Sequence, residues 1–472
     1  MKIAHIAPLT ESVPPRGYGG IERVVSYLVE EQVRLGHQVT LFASGDSSTS
    51  AELVPCCRRA LGYDPDIRNP FPFYRAMLDT VRRRAQDFDV LHFHFDFLHF
   101  LALQDCPTPM VTTLHGWPYL LDLLPFYSCC AGKPLISISL QQRQLLPQLN
   151  WAANVYHGLP PDLYPYASAP KEDYLAFVGR LCSEKGPDEA IAIARMAGMR
   201  LRIAGNVKRE DRAYFEKYVA PHIDGSFIEY IGEVNDREKA QLLTGARASL
   251  FPIRWPEPFG LVLIESMACG TPVIAYRWGS TSEVVDAGVT GFVVETAQEA
   301  ALAVGMLPAI DRANVRRRFE ERFSLERMVG DYLSIYRKQV EEHAFRGIRK
   351  SGHTEQPADK SLNSGNSRAD PRRDTMQGMT RRLWLRMEFD SGRSYARDRA
   401  SSWGWSKRIL YIGGAPLVPL VRMIRVLRQL IRSGASRALS LQDKLLAPVG
   451  LIFSAFGEMA GYFSRKRSLD AN

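Results

Sequence analysis

YLAFVGRLCSEKGPDEAIAIARM, residues 174–196, reads as a strand, a loop and a helix in turn. Tyr174–Val178 is an apolar run of strand length. Gly179–Gly186 is bounded by glycines and carries Arg180 and Lys185. Pro187–Met196 has helical character, with proline at a tolerated early position. The same order opens the chain. Lys2–Pro8 is apolar, a loop follows, and Gly20–Leu35 sets Ile21, Val24, Val25, Leu28 and Leu35 at helical spacing before Gly36. Between these landmarks, strands are expected at Gln38–Ala43, Val90–Phe93, Met110–Leu114 and Leu135–Ile138. Beyond them come Leu201–Ala204, Phe227–Ile231, Ala248–Pro252 and Val273–Ala275. Strands alternating with helices imply parallel sheets covered on both faces. The expected fold class is therefore α/β, with two doubly wound Rossmann-like domains facing a cleft. The proline-rich segment His157–Lys171 links them.

Composition agrees with this reading and narrows it. Of 472 residues, 46% are hydrophobic and 24% charged, which excludes a disordered, collagen-like or multi-span membrane chain. Seven cysteines do not make a disulfide scaffold. The adjacent pairs Cys56-Cys57 and Cys129-Cys130 lack zinc-site spacing. Free thiols suit a reducing compartment, and the first ten residues read as a strand rather than a signal peptide. A cytoplasmic protein is expected. Residues 346–472 hold 24 Lys and Arg against 10 Asp and Glu, whereas the remainder is mildly acidic. Such asymmetry points to an acidic surface as partner of the tail.

Four parts are expected: residues 1–165, residues 166–345 ending in a helix over Ser324–Val340, a disordered polar linker over 346–400, and a basic helical tail over 401–472. In the tail, LVRMIRVLRQLIR (420–432) places four arginines on one face and apolar residues on the other. That pattern suits an anionic membrane surface, engaged through 417–467. Leu445–Phe463 is apolar but broken by Pro448, glycines and Glu458, so it is not expected to span. A helical hairpin packed on the body is the rival reading. Nucleic acid is the less favoured partner.

Three strings carry chemistry. Pro14–Glu22 sets Gly17, Gly19 and Gly20 at a helix start, where backbone amides can meet anions. Its spacing is not that of the dinucleotide fingerprint. Gly179–Gly186 places Arg180 and Lys185 over another helix start, suited to a diphosphate, though such a pair also occurs as solvated surface charge. In Glu257–Glu265, two carboxylates flank a turn and a helix start, so Glu257 and Glu265 can both face one cleft. The amides of Phe259, Gly260 and Leu261 lie at that helix start.

Together these strings resemble glycosyltransferase family 4, whose members have the GT-B fold. The matching features are Gly-Gly-x-Glu, Gly-Arg-x-x-x-x-Lys-Gly, Glu-x-Phe-Gly with a second Glu eight residues on, and the continuation Ala268–Ala275 and Gly279–Glu283. The resemblance covers about residues 1–345. It implies retaining transfer of a sugar from a nucleotide sugar to an acceptor, which could be a lipid-linked or cell-surface glycan precursor. No metal and no cofactor are expected. By the same resemblance, Arg180 and Lys185 bind the diphosphate, bordered by Gly19 and Gly20, and Glu265 binds the ribose. Glu257 with Phe259–Leu261 holds the transferred sugar, Ile231 and Gly232 flank the base, and His115 stands beside the reacting centre. Arg16, Tyr18, His94 and Trp117 are expected on the acceptor side. The cluster His92, His94, Asp96, His99 is read as a strand end near the cleft rather than a metal site. Asp64-Pro65-Asp66 and Asp87-Phe88-Asp89 are read as structural. The alternative is a catalytically silent, membrane-attached scaffold that keeps the fold. The cytoplasmic face of the membrane is the expected location.

Overall fold

The computed structural model describes residues 1–351, apart from Tyr18, Pro65, Leu145 and residues 117–126 and 128–131. The linker beyond 351, the basic tail, Tyr18 and Trp117 lie outside the described residues.

The first seven strands are β1 (Lys2–Ile6), β2 (Gln38–Ser44), β3 (Glu52–Cys57), β4 (Val90–Phe93), β5 (Met110–Leu114), β6 (Leu135–Ser137) and β7 (Trp151–Asn154). They form one parallel sheet in the order β3-β2-β1-β4-β5-β6-β7. The other six are β8 (Tyr174–Val178), β9 (Arg200–Ala204), β10 (Ile228–Gly232), β11 (Ala248–Phe251), β12 (Val273–Tyr276) and β13 (Gly291–Val294). They form a second parallel sheet, β10-β9-β8-β11-β12-β13.

Both sheets reverse their winding beside their first strand, between β1 and β4 and between β8 and β11. Doubly wound sheets bind ligands at such switch points, beyond the carboxyl ends of the strands. The loops after β1 and β8 are the two glycine-bearing strings read from sequence. The loop after β11 carries Glu257.

The central strands are apolar because both their faces are covered. On β1, Ala4 and Ile6 pack with Met77, Leu78 and Val81 of the helix Phe71–Arg84. Ile3 faces the opposite side, against Val24 and Leu28 of the helix Gly20–Arg34. The same cluster contains Met328, Val329, Tyr332 and Tyr336 of the last helix, Leu325–Ser351. That helix therefore leaves the second sheet and packs on the first. It also runs past residue 345, to Ser351.

The two crossings between sheets are stitched together. Leu159 N donates to Phe323 O at 3.0 Å, and Leu325 N donates to Leu159 O at 3.0 Å. The linker is also anchored by Tyr164, which is buried.

Three strands were not expected from sequence: β3, β7 and β13. β3 is an edge strand interrupted by Pro55, and edge strands tolerate proline because one side needs no ladder bond. β7 is also an edge and is only half-buried, so it lacks a strong apolar signal.

Candidate active site

A cleft lies between the carboxyl ends of the two sheets. Gly17, Gly19 and Gly20 line it from the first domain, together with His115 and His157. Lys185, Glu257, Phe259, Gly260, Leu261 and Glu265 line it from the second.

Local geometry explains these positions. Gly186 takes φ +69° and ends the loop after β8. A Cβ there would stand 2.3 Å from Pro252 O, so glycine is required. Gly260 takes φ +84° and precedes the helix Leu261–Ala268, which leaves that helix start open to the cleft.

Lys185 Nζ lies 2.5 Å from Glu257 Oε2, and Trp255 Nε1 donates to the same oxygen at 2.8 Å. The ammonium also lies over the rings of Phe251 and Trp255, at 5.8 and 5.6 Å. Glu265 is buried. It accepts from Lys239 Nζ at 2.6 Å and from Tyr164 OH at 3.1 Å. Lys239 pairs in turn with Asp236 at 3.2 Å. Arg23 of the first domain also pairs with Asp236 and donates to Gly17 O at 2.9 Å. A chain of charges therefore crosses the cleft from Arg23 to Glu265.

Behind the first-domain wall stands a row of histidines. His115 Nε2 lies 3.1 Å from His94 Nδ1, and His94 Nε2 lies 3.0 Å from His5 Nδ1. His5 Nε2 meets Gln32 Oε1 at 2.8 Å. Burial lowers the pKa of His5 to about 4 and of His115 to about 3, and puts His94, His92 and His157 well below the usual value. These rings are neutral at physiological pH. Burial also raises the Glu22 carboxyl to about 7 and Asp96 to about 6.

His5, His92 and His94 converge closely enough to suggest a metal triad. Every ring nitrogen of the three is already bonded within the protein, with His92 held by Tyr336 at 2.6 Å and Thr113 at 2.7 Å.

Several expected residues stand elsewhere. His94, expected to reach an acceptor, is buried and spends both ring nitrogens on His5 and His115. Arg180 does not line the cleft. It pairs with Glu184 at 2.8 Å and Asp211 at 3.4 Å. Arg16 is exposed and pairs with Asp46 at 3.4 Å. Ile231 and Gly232 stop short of the cleft, and Glu233 and Val234 line it instead. Asp64 pairs with Arg59, and Asp87 with Arg84, as structural residues would. Lys239, Tyr164, Arg23 and His157 were missed from sequence. Each is distant in the chain from the partner that gives it meaning.

Two parallel Rossmann-like domains around a cleft, with this glycine, lysine and glutamate constellation, define a GT-B glycosyltransferase. Comparison with known proteins agrees. Residues 18–154 match the model described as Glycosyltransferase Family 4, and residues 165–323 match Glycosyl transferases group 1. A glycogen synthase of Mycobacterium tuberculosis is 30% identical over 398 residues, covering 71% of this chain and 94% of that one. A phosphatidyl-myo-inositol mannosyltransferase of Mycobacterium leprae is 26% identical over 349 residues, 68% of this chain and 90% of its own. Anabaena HepE, solved with UDP-glucose, superposes with a TM-score of 0.56 at 17% identity, covering 73% of this chain and 99% of its own. The chain belongs to glycosyltransferase family 4 and is a glycosyltransferase.

Proposed function

We propose that the chain moves a sugar, with retention of anomeric configuration, from a nucleotide-sugar donor in this cleft to a lipid-linked acceptor or a cell-surface glycan precursor. The observation that carries the reading is the convergence of Lys185, Glu257, Glu265 and the open helix start at Leu261 on one cleft. Binding of UDP-glucose to HepE, which shares the fold, supports a nucleotide-sugar donor. The mannosyltransferase relative, named for a phosphatidylinositol, supports a lipid acceptor.

Breaking the anomeric C–O bond leaves positive charge on the sugar and negative charge on the departing diphosphate. Lys185 and the amides of Phe259–Leu261 meet that negative charge, which is the largest stabilising effect the chain offers. Glu265 exchanges a partner for the ribose hydroxyls, and Glu257 takes the hydroxyls of the transferred sugar. Arg180 reaches the diphosphate only if its pairs with Glu184 and Asp211 open. Gly19 and Gly20 border the phosphates from the first domain. His115 accepts a hydrogen bond from the sugar.

Among the described residues, no helix is long and apolar enough to cross a membrane. The basic tail would hold the enzyme on an anionic membrane, at its cytoplasmic face. Thermal shift of the full chain against UDP-, GDP- and ADP-sugars tests the donor assignment. A ligand of the native state raises the midpoint once its concentration exceeds the dissociation constant. One nucleotide class is expected to do so, and no shift with any class would contradict the reading.

A further inference from the structure

A neutral imidazole carries one N–H, so a row of hydrogen-bonded rings must share a single direction. Gln32 fixes that direction at the inner end of this row. Its Oε1 faces His5 Nε2 at 2.8 Å, and its amide nitrogen is buried with no hydrogen-bond partner. Since Oε1 can only accept, His5 must donate from Nε2, which leaves His5 Nδ1 bare. His94 then donates from Nε2 to His5 Nδ1 across 3.0 Å. That leaves His94 Nδ1 bare, so His115 donates to it from Nε2 across 3.1 Å. His115 Nδ1 is left with a lone pair. It is a buried atom with no partner in the protein, on a ring that lines the cleft.

We propose that Gln32 is a positioning residue that sets the tautomer of His115 through His5 and His94. His115 Nδ1 then meets the bound sugar as an acceptor for a hydroxyl proton. The use of that nitrogen rests on the nucleotide-sugar reading, but the tautomer does not. A bare Nδ1 favours a hydroxyl and repels phosphate or carboxylate oxygens, so it separates the sugar end of a donor from its diphosphate end. Reversing the amide would reverse every bond in the row and turn His115 Nδ1 into a donor.

Tautomers are inferred from such networks, but they can be measured directly. The experiment is long-range 15N–1H correlation on the full chain labelled with 15N-histidine, with His115 assigned by loss of its signals in His115→Gln. His115, His94 and His5 are expected in the Nε2–H form without any ligand. Gln32→Glu at pH 8, whose carboxylate accepts but does not donate, should keep that pattern. Gln32→Met fills the space without polarity and should give mixed tautomers at His115. Finding His115 in the Nδ1–H form in the unaltered protein would overturn the proposal. So would a His115 signal unchanged by Gln32→Met. The unaltered protein and Gln32→Glu decide the matter even if Gln32→Met does not fold. Because no donor is present, failure of the donor assignment cannot be mistaken for failure of the relay.

Discussion

Glu265 is held by a buried ammonium and a buried phenol, and the carboxylate is what makes burying Lys239 tolerable. Removing one partner of a buried pair costs more than the pair contributes, because a charge is stranded. Glu265→Ala is expected to destabilise the protein by about 3 kcal/mol in urea unfolding. Adding Lys239→Met should recover part of that loss, since the stranded charge is removed with it. Equal destabilisation in the single and double variants would mean that the pair is not coupled as its 2.6 Å geometry implies.

At the level of elements, the loop after β8 depends on one backbone conformation. Gly186→Ala must place a side chain at φ +69° and against Pro252 O. Left-handed backbone at a non-glycine residue costs about 1–3 kcal/mol, so a midpoint lower by a few degrees is expected in calorimetry. The helix Leu325–Ser351 is the other critical element. Tyr336→Ala opens a cavity beneath the first sheet and leaves His92 Nδ1 without its partner. A loss of about 3–5 kcal/mol is expected from chemical denaturation.

These elements also show what the sequence could and could not reveal. β4, β5 and β8 were legible to the residue, because a strand buried on both faces is an uninterrupted apolar run. Edge strands such as β3 and β7 were not, because half-burial and Pro55 erase that signal. In the site, Lys185, Glu257 and Glu265 were singled out from their strings and from the family those strings together resemble, and all three line the cleft. Lys239, Tyr164 and Gln32 were not. Gln32 is 27 residues from His5 in the chain and matters only because β1 and its helix pack together. His94, expected at a strand end near the cleft, directly follows β4, and its ring nitrogens meet His5 and His115. Alternation gives the face of a strand and says nothing of what stands in front of it.

At the scale of the whole molecule, six buried histidines govern acid stability. The native pKa values of His5, His92, His94, His99, His115 and His157 all lie below the ordinary 6.5, with burial as the main cause. Below pH 6.5 the unfolded chain binds protons that the native chain refuses, so stability falls as pH falls, down to the native values of about 4 and 3 for His5 and His115. Glu22 and Asp96 act in the opposite sense. Raised to about 7 and about 6, they lose stability as pH rises through the unfolded carboxylate range toward those values. Six groups outweigh two. Unfolding free energy measured in urea should therefore drop steeply between pH 6.5 and 5 and level off above pH 7. A flat profile across that window would mean that the histidine row is not closed to protons.

The central claim is that a nucleotide sugar is cleaved in this cleft with Lys185 at its diphosphate. The measurement that tests it most directly is release of nucleoside diphosphate from UDP-, GDP- and ADP-sugars by the full chain, beside Lys185→Ala matched for melting temperature. One donor class should be cleaved by the unaltered protein. Turnover should fall about 10²–10³-fold in the variant, the size of effect seen when one preorganised charge-stabilising group is removed. Equal release by both proteins, or no release from any donor class, would contradict the account.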